Sequence, residues 1–349
     1  MKYVDVEKMG SSVARLALPR RLGVIEECER PAVGDVIVVR ALTESATYGN
    51  LELPTGRLAK INAGDVLLGV LGKRRALKGF VGDLPESVKS GDELHLLNMG
   101  GVIGLCKGHH SSFTDAIVAE VVGLVSEDGQ SVINIADAAL GPATSLSRTA
   151  PIIMIAGTCM NSGKTVAATE IIKQAANAGL RVAGAKLSGI ACLRDTLHMQ
   201  DHGAVATASF LDCGLPSTVD YGDLSPIAKS ILNYLNSFEP DLIVVELGDG
   251  IVGGYSVDSV LKDADVRAAI SSFVFCASDY VGVIGGIEVM KGLDLKIDVI
   301  AGSVTDSQMG EDFVRSEFGV EAGNARRNGT RLFDLVNPLR ATGEGALAA

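Results

Sequence analysis

The sequence predicts an α/β domain built on a parallel sheet, preceded by an all-β, barrel-like domain. Three observations carry this. The first 140 residues hold short β-branched runs punctuated by Gly and Asp; from Pro151 apolar runs alternate with longer helical patterns; and a stretch rich in small and turn residues, DAALGPATSLSRTAP at 137–151, separates the two textures. The predicted bounds are 1–140 for the β domain, 150–335 for the α/β domain and 336–349 for a frayed, low-complexity tail ending ATGEGALAA.

In the first domain the runs DVIVVRALT, DVLLGVLGK, DELHLLNMG and AIVAEVVGLV read as strands. Gly34-Asp35, Gly64-Asp65 and Gly91-Asp92 each open one of them, placing a tight turn before a strand at similar intervals. Such regularity suggests a small closed barrel or a sandwich, with one hairpin design reused.

In the second domain IIMIA reads as a buried strand, GKTVAATEIIKQAANA as a helix stopped at Gly179, and RVAGAK as the next strand. DLIVVE, SSFVFCA and KIDVIAG supply further strands. Strand–helix alternation of this kind predicts a parallel sheet covered on both faces.

Composition narrows the function. Although 47% of the 349 residues are hydrophobic, each apolar run is interrupted by Gly, Asp or Lys short of the ~18 residues a membrane helix needs, so no membrane partner is expected. The N-terminus lacks an apolar core of signal-peptide length. Six cysteines form no CxxC pair, which fits a reducing cytoplasm and mostly buried thiols. The net charge is −11; residues 1–150 hold 16 basic and 18 acidic side chains, so most of the excess lies in the second half. An acidic, aromatic-poor chain is not expected to bind nucleic acid. The basic cluster GKRRALKG at 72–79 reads as a solvated strand-and-turn face.

The stretch Gly157, Thr158, Cys159, Met160, Asn161, Ser162, Gly163, Lys164, Thr165 follows a strand and opens a helix. Backbone amides and a helix N-terminus converge on an anion in that arrangement, Lys164 reaches the terminal phosphates, and Thr165 offers a hydroxyl to Mg²⁺. This predicts a P-loop NTPase domain. Glu246 and Lys186 end their strands and are expected on the same carboxyl rim as the loop, whereas Asp241 starts its strand and belongs to the opposite rim. Asp195, His198 and His202 fall on one helical face with Asp201 beside them; a polar solvent face is the simplest reading, a metal site the other. Asp249 in LGDGIVGG reads equally as a functional carboxylate and as a plain turn residue, and the histidines of CKGHHSS read mainly as loop residues.

A loop of the form G-T-x-x-x-x-G-K-T resembles that of dethiobiotin synthetase and of the amide-forming enzymes of cobalamin synthesis, and AGLRVAGAKLSG and VVELGDG resemble that group's second strand and its glutamate-bearing segment. The resemblance spans roughly residues 151–305. It implies that Lys186 and Ser188 face a reacting carboxylate, that Glu246 binds Mg²⁺, and that Asp195 or Asp201 completes the metal shell. It further implies a small-molecule carboxylate substrate and a homodimer across the active-site rim. ParA-like and MinD-like ATPases carry a lysine where Thr158 stands, and metallochaperone GTPases read guanine through an N-K-x-D-like motif that AGSVTDSQ lacks, so ATP is the expected nucleotide.

The expected function is therefore ATP- and Mg²⁺-dependent activation of a carboxylate by phosphorylation for C–N bond formation, with Lys164, Lys186 and Ser188 catalytic. The alternative is a nucleotide-gated switch, ATP- or GTP-dependent, whose β domain grips a partner.

Overall fold

A computed structural model describes residues 1–339, so residues 340–349 of the expected tail lie outside the described residues. The chain forms two compact units. The first comprises Met1–Gly141 together with Gly189–Arg194 and Phe210–Asp220; the second comprises Pro142–Ser188, Asp195–Ser209 and the chain from Tyr221 onward.

The first unit is β-rich. Its strands Val36–Ala41, Val66–Leu71, Val102–His109, Glu93–Leu96 and Val118–Val125 pair in a closed circuit, each with the next and the last with the first. Alternation along Val36–Ala41 explains why the run is almost wholly apolar. Ile37, Val39 and Ala41 join one core with Leu67, Leu96 and Val121, while Val36 and Val38 join another with Leu68, Val102, Ala191 and Leu211. Both faces are buried, so neither needs polar residues.

The three Gly-Asp pairs form one turn used three times. Gly34, Gly64 and Gly91 have φ of +91°, +95° and +94°, a conformation that glycine adopts without steric cost. The following aspartate reaches back, with Asp35 accepting from the Ala32 amide (2.7 Å), Asp65 from Asn62 (2.6 Å) and Asp92 from Lys89 (2.7 Å). Each carboxylate thus closes its turn from the side-chain side, an Asx-type lock, before its strand begins.

The basic cluster departs from the sequence expectation. Arg74 is buried rather than solvated; its guanidinium donates to the Leu97 carbonyl and to Tyr48 Oη (2.9 Å) and lies 4.8 Å from the centre of the Tyr48 ring. Lys73 and Arg75 pair with Asp220, and Arg75 also with Asp83. The cysteines depart too: only Cys213 and Cys276 are fully buried.

The second unit is a seven-stranded parallel sheet in the order Ala206–Ser209, Val182–Ser188, Leu242–Leu247, Ile152–Gly157, Ile270–Cys276, Val299–Ala301, Glu321–Ala322. Helix α1, Lys164–Asn177, lays Ala167, Ala168, Ile171, Ile172 and Ala175 on one face of it, and α8, Ala325–Val336, adds Leu332, Phe333 and Val336. Alanines in that stripe let the helix approach the sheet closely. Gly179 at φ +82° ends α1, its amide and that of Leu180 returning to Ala176 and Ala175. Helix α3, Ser225–Asn236, packs on the strands Val182–Ser188 and Ala206–Ser209. The loop-bearing strand is fourth of seven, between Leu242–Leu247 and Ile270–Cys276, and in such sheets ligands gather at the carboxyl ends of the strands.

Candidate functional site

The strand Ile152–Gly157 is buried throughout, and its carboxyl end leads into the loop 158–163. Gly163, the residue before α1, has φ +103°, and a Cβ there would lie 2.9 Å from Gly302 Cα. Gly157 is equally constrained, since a Cβ would meet Cys276 O and Ser162 Oγ at 2.6 Å. The loop is therefore wedged against the end of the neighbouring strands, with its shape set by backbone contacts rather than by side chains.

Lys164 is buried, 6% exposed, and its Nζ donates to the Cys159 carbonyl (2.8 Å) and to Ser162 Oγ (3.4 Å). The ammonium is thus folded back over its own loop. Thr165, in the first turn of α1, donates through Oγ1 to Glu246 Oε1 at 2.9 Å. Glu246 is 2% exposed, and its second oxygen, Oε2, has no hydrogen-bond partner among the described residues. A buried carboxylate oxygen left so is costly unless a cation or donor meets it. Hard oxygens from Thr165 and Glu246 at the head of a phosphate-type loop suit Mg²⁺, which takes few protein ligands and keeps the rest for phosphate and water.

Register explains the convergence. Glu246 pairs with Ile155 on one side and with Lys186 on the other, so the two charged residues stand level on adjacent strands. Lys186 forms an ion pair with Asp195 of α2, Arg194–Asp201, and both are largely buried. Ser188 Oγ donates to the Gly248 carbonyl. The loop Gly248–Ile251 lies on the phosphate loop: Ile251 N donates to Gly157 O (3.0 Å), and a Cβ on Gly250 would collide with Thr158. Asp249 is half-buried within it.

The predicted residues do not all gather. Thr165, Glu246, Lys164, Lys186, Asp195 and Ser188 lie at the carboxyl rim, but Asp195 is engaged by Lys186, and Asp201 is exposed at the far end of α2, roughly 9 Å along the helix axis. Asp201 therefore stands apart from Thr165 and Glu246 as a metal ligand. His198 is exposed, and His202 Nδ1 contacts the His198 carbonyl (2.7 Å). Among the described residues no three His, Cys, Asp or Glu side chains converge as a metal-binding group. Asp241 sits at the opposite rim, its carboxylate accepting from the Arg181 amide at 2.8 Å. In CKGHHSS the histidines serve their own loop, His109 on Asp115 and His110 on Ser112.

Sequence reading passed over Thr305, Asp306 and Asn324, which tie the loop after Val299–Ala301 to the start of α8: Asn324 Nδ2 donates to Thr305 Oγ1 (3.1 Å) and to Asp306 Oδ1 (2.8 Å). The signal was the stretch AGSVTDSQ, read only for a motif it lacks.

No protein-family model matches this chain, and no curated protein matches it. Among solved structures it is similar to the signal recognition particle receptor FtsY from Elizabethkingia anophelis, at 11% identity over 59% of this chain and 75% of that one, with a TM-score of 0.37. It is also similar to the signal recognition particle 54 kDa protein from Aeropyrum pernix K1 in complex with GDP, at 19% identity over 56% and 49% of the chains and a TM-score of 0.36. Likenesses this distant carry no argument about function, and nothing found supports placing the chain with the dethiobiotin synthetase group. Among the described residues no helix is long and apolar enough to cross a membrane.

Proposed function

We propose that the second unit binds a nucleoside triphosphate with Mg²⁺ at Gly157–Thr165 and hydrolyses its terminal phosphoanhydride, the nucleotide state acting as a switch. The observation that carries this is the Thr165–Glu246 pair at the head of the loop, with Glu246 Oε2 buried and open to a cation. Lys164 exchanges its loop carbonyl for the β- and γ-phosphate oxygens. Loop amides and the α1 N-terminus balance the phosphate charge. Thr165 and Glu246 hold Mg²⁺, which when bound offsets the negative charge that builds on the leaving oxygen. Water attacks the γ-phosphorus, the bond to the β-phosphate oxygen breaks, and nucleoside diphosphate, inorganic phosphate and a proton are released. The catalytic contribution is electrostatic positioning.

Phosphoryl transfer to a carboxylate is the less favoured reading. It requires Lys186 to orient the acceptor oxyanion, and the Lys186 ammonium is already neutralised by Asp195.

Phosphate release with Mg²⁺ and each of ATP and GTP, repeated with a panel of small carboxylic acids and with Lys164→Ala, tests the proposal. Release without any acid, lost in Lys164→Ala, is expected. Calorimetry showing no uptake of either triphosphate would overturn nucleotide binding, and release only with an acid would restore the carboxylate-activating reading.

A further inference from the structure

Next to the phosphate loop the second unit holds an open hollow lined by Gly163, Ala167, Gly302, Asp306 and Ala325. Gly163 lines both it and the phosphate loop, so a group tethered to phosphates bound there reaches the pocket directly. Ala167 from α1 and Ala325 from α8 give it apolar surface, and Asp306 is the one carboxylate among the residues that line it.

Buried hydrogen bonds hold that carboxylate in place. Thr305 is fully buried, its Oγ1 bonded to the carbonyls of Gly302 (2.8 Å) and Gly323 (3.1 Å). Asn324, 3% exposed, accepts the Arg326 and Arg327 amides on Oδ1 and gives both Nδ2 protons, to Thr305 and Asp306. The amide of Asn324 is thereby used up and has nothing left for a ligand. Asp306 keeps Oδ2, whose cationic neighbour, Arg326, lies 3.8 Å away with both side chains well exposed. Such a pair is weak and gives way to a better donor.

We propose that this pocket receives a purine base and that Asp306 selects guanine over adenine. The proposal rests on the nucleotide site argued above. Guanine presents adjacent N1–H and N2–H₂ donors, which a carboxylate accepts together as a charge-assisted bidentate pair. Adenine offers an acceptor at N1 beside its N6–H₂ donor, setting a lone pair against the carboxylate. The base expected from the lack of an N-K-x-D motif in AGSVTDSQ is thus reversed: the motif's lysine position is Val304, yet the acceptor stands at Asp306.

Calorimetric titration of the full chain with Mg²⁺ and GTP, ATP, ITP or XTP provides the test, repeated with Asp306→Asn. Wild type is expected to bind GTP about ten- to a hundredfold more tightly than ATP, with ITP, which lacks the 2-amino group, in between. Asp306→Asn should lose GTP and gain XTP, because its amide accepts N1–H and donates to the 2-oxo group. That gain also shows the variant is folded. ATP binding as tightly as GTP, or an unchanged GTP-to-ATP ratio in Asp306→Asn, would overturn the guanine subsite while leaving the phosphate site standing. Failure of all four triphosphates to bind would overturn both.

Discussion

Lys186 and Glu246 stand level on adjacent parallel strands, yet each answers to a different partner: Glu246 takes the hydroxyl of Thr165, and Lys186 takes the carboxylate of Asp195. The site is thus two linked pairs on one rim, one at the mouth of the phosphate loop and one beside it.

The Lys186–Asp195 pair is shielded enough for removal of one member to be severe. Lys186→Met leaves a buried carboxylate without its cation and is expected to lower stability by about 3–5 kcal/mol, whereas Lys186→Met with Asp195→Leu should recover most of it. Urea unfolding midpoints of the three proteins check this, and equal losses in the single and double variants would contradict it.

Thr165 separates metal binding from folding. Thr165→Ser keeps the hydroxyl and should keep the Mg²⁺ requirement; Thr165→Ala should raise the Mg²⁺ needed for half-maximal nucleotide binding by about tenfold or more, a loss of roughly 1–2 kcal/mol. Magnesium titrations followed by a fluorescent nucleotide measure the difference.

Acid should loosen the first unit at the Asp65 turn. Burial pushes the Asp65 carboxyl upward, but bonds from the Asn62 amide and Lys8 outweigh it, so its pKa is lowered on folding. A depressed carboxyl contributes stability that is complete above its unfolded pKa of about 4 and disappears as pH falls through the folded value. Asp65→Asn should therefore cost about 1 kcal/mol at pH 7 and show a flatter loss of stability between pH 4 and pH 2. Thermal melts across that window decide it, and parallel acid limbs for the two proteins would contradict the assignment.

Two cysteines near the loop should behave oppositely toward alkylation. Burial pushes the Cys276 thiol up to about 12, so iodoacetamide should leave it untouched in the native protein. Cys159, half-buried in the phosphate loop with Sγ 3.8 Å from Ser278 Oγ, should react, and Mg²⁺ with nucleotide should slow that reaction. Peptide mass mapping reads both rates.

Local signals were legible in the sequence where chemistry and periodicity coincide. A buried strand, a glycine loop and Gly-Lys-Thr placed Lys164 and Thr165, and strand ends placed Glu246 and Lys186 on one rim. What stayed hidden depends on contacts between distant segments. Nothing near Asp195 in sequence announces that Lys186 claims it, and the pairing of Asn324 with Asp306 joins residues 18 apart through two different elements. Arg74 escaped for the same reason: its neighbours in GKRRALKG are largely polar, while Tyr48 and the Leu97 carbonyl come from two other loops.

Because Ala191 and Leu211 belong to the core of the first unit, that unit cannot be finished when residue 141 leaves the ribosome. It waits for residue 220, roughly 4 to 16 s later at ordinary rates of synthesis, while the strands Ile152–Gly157 and Val182–Ser188 of the other unit emerge in between. A fragment cut at residue 141 therefore lacks part of its own interior, and the two halves of this protein mature together rather than in sequence.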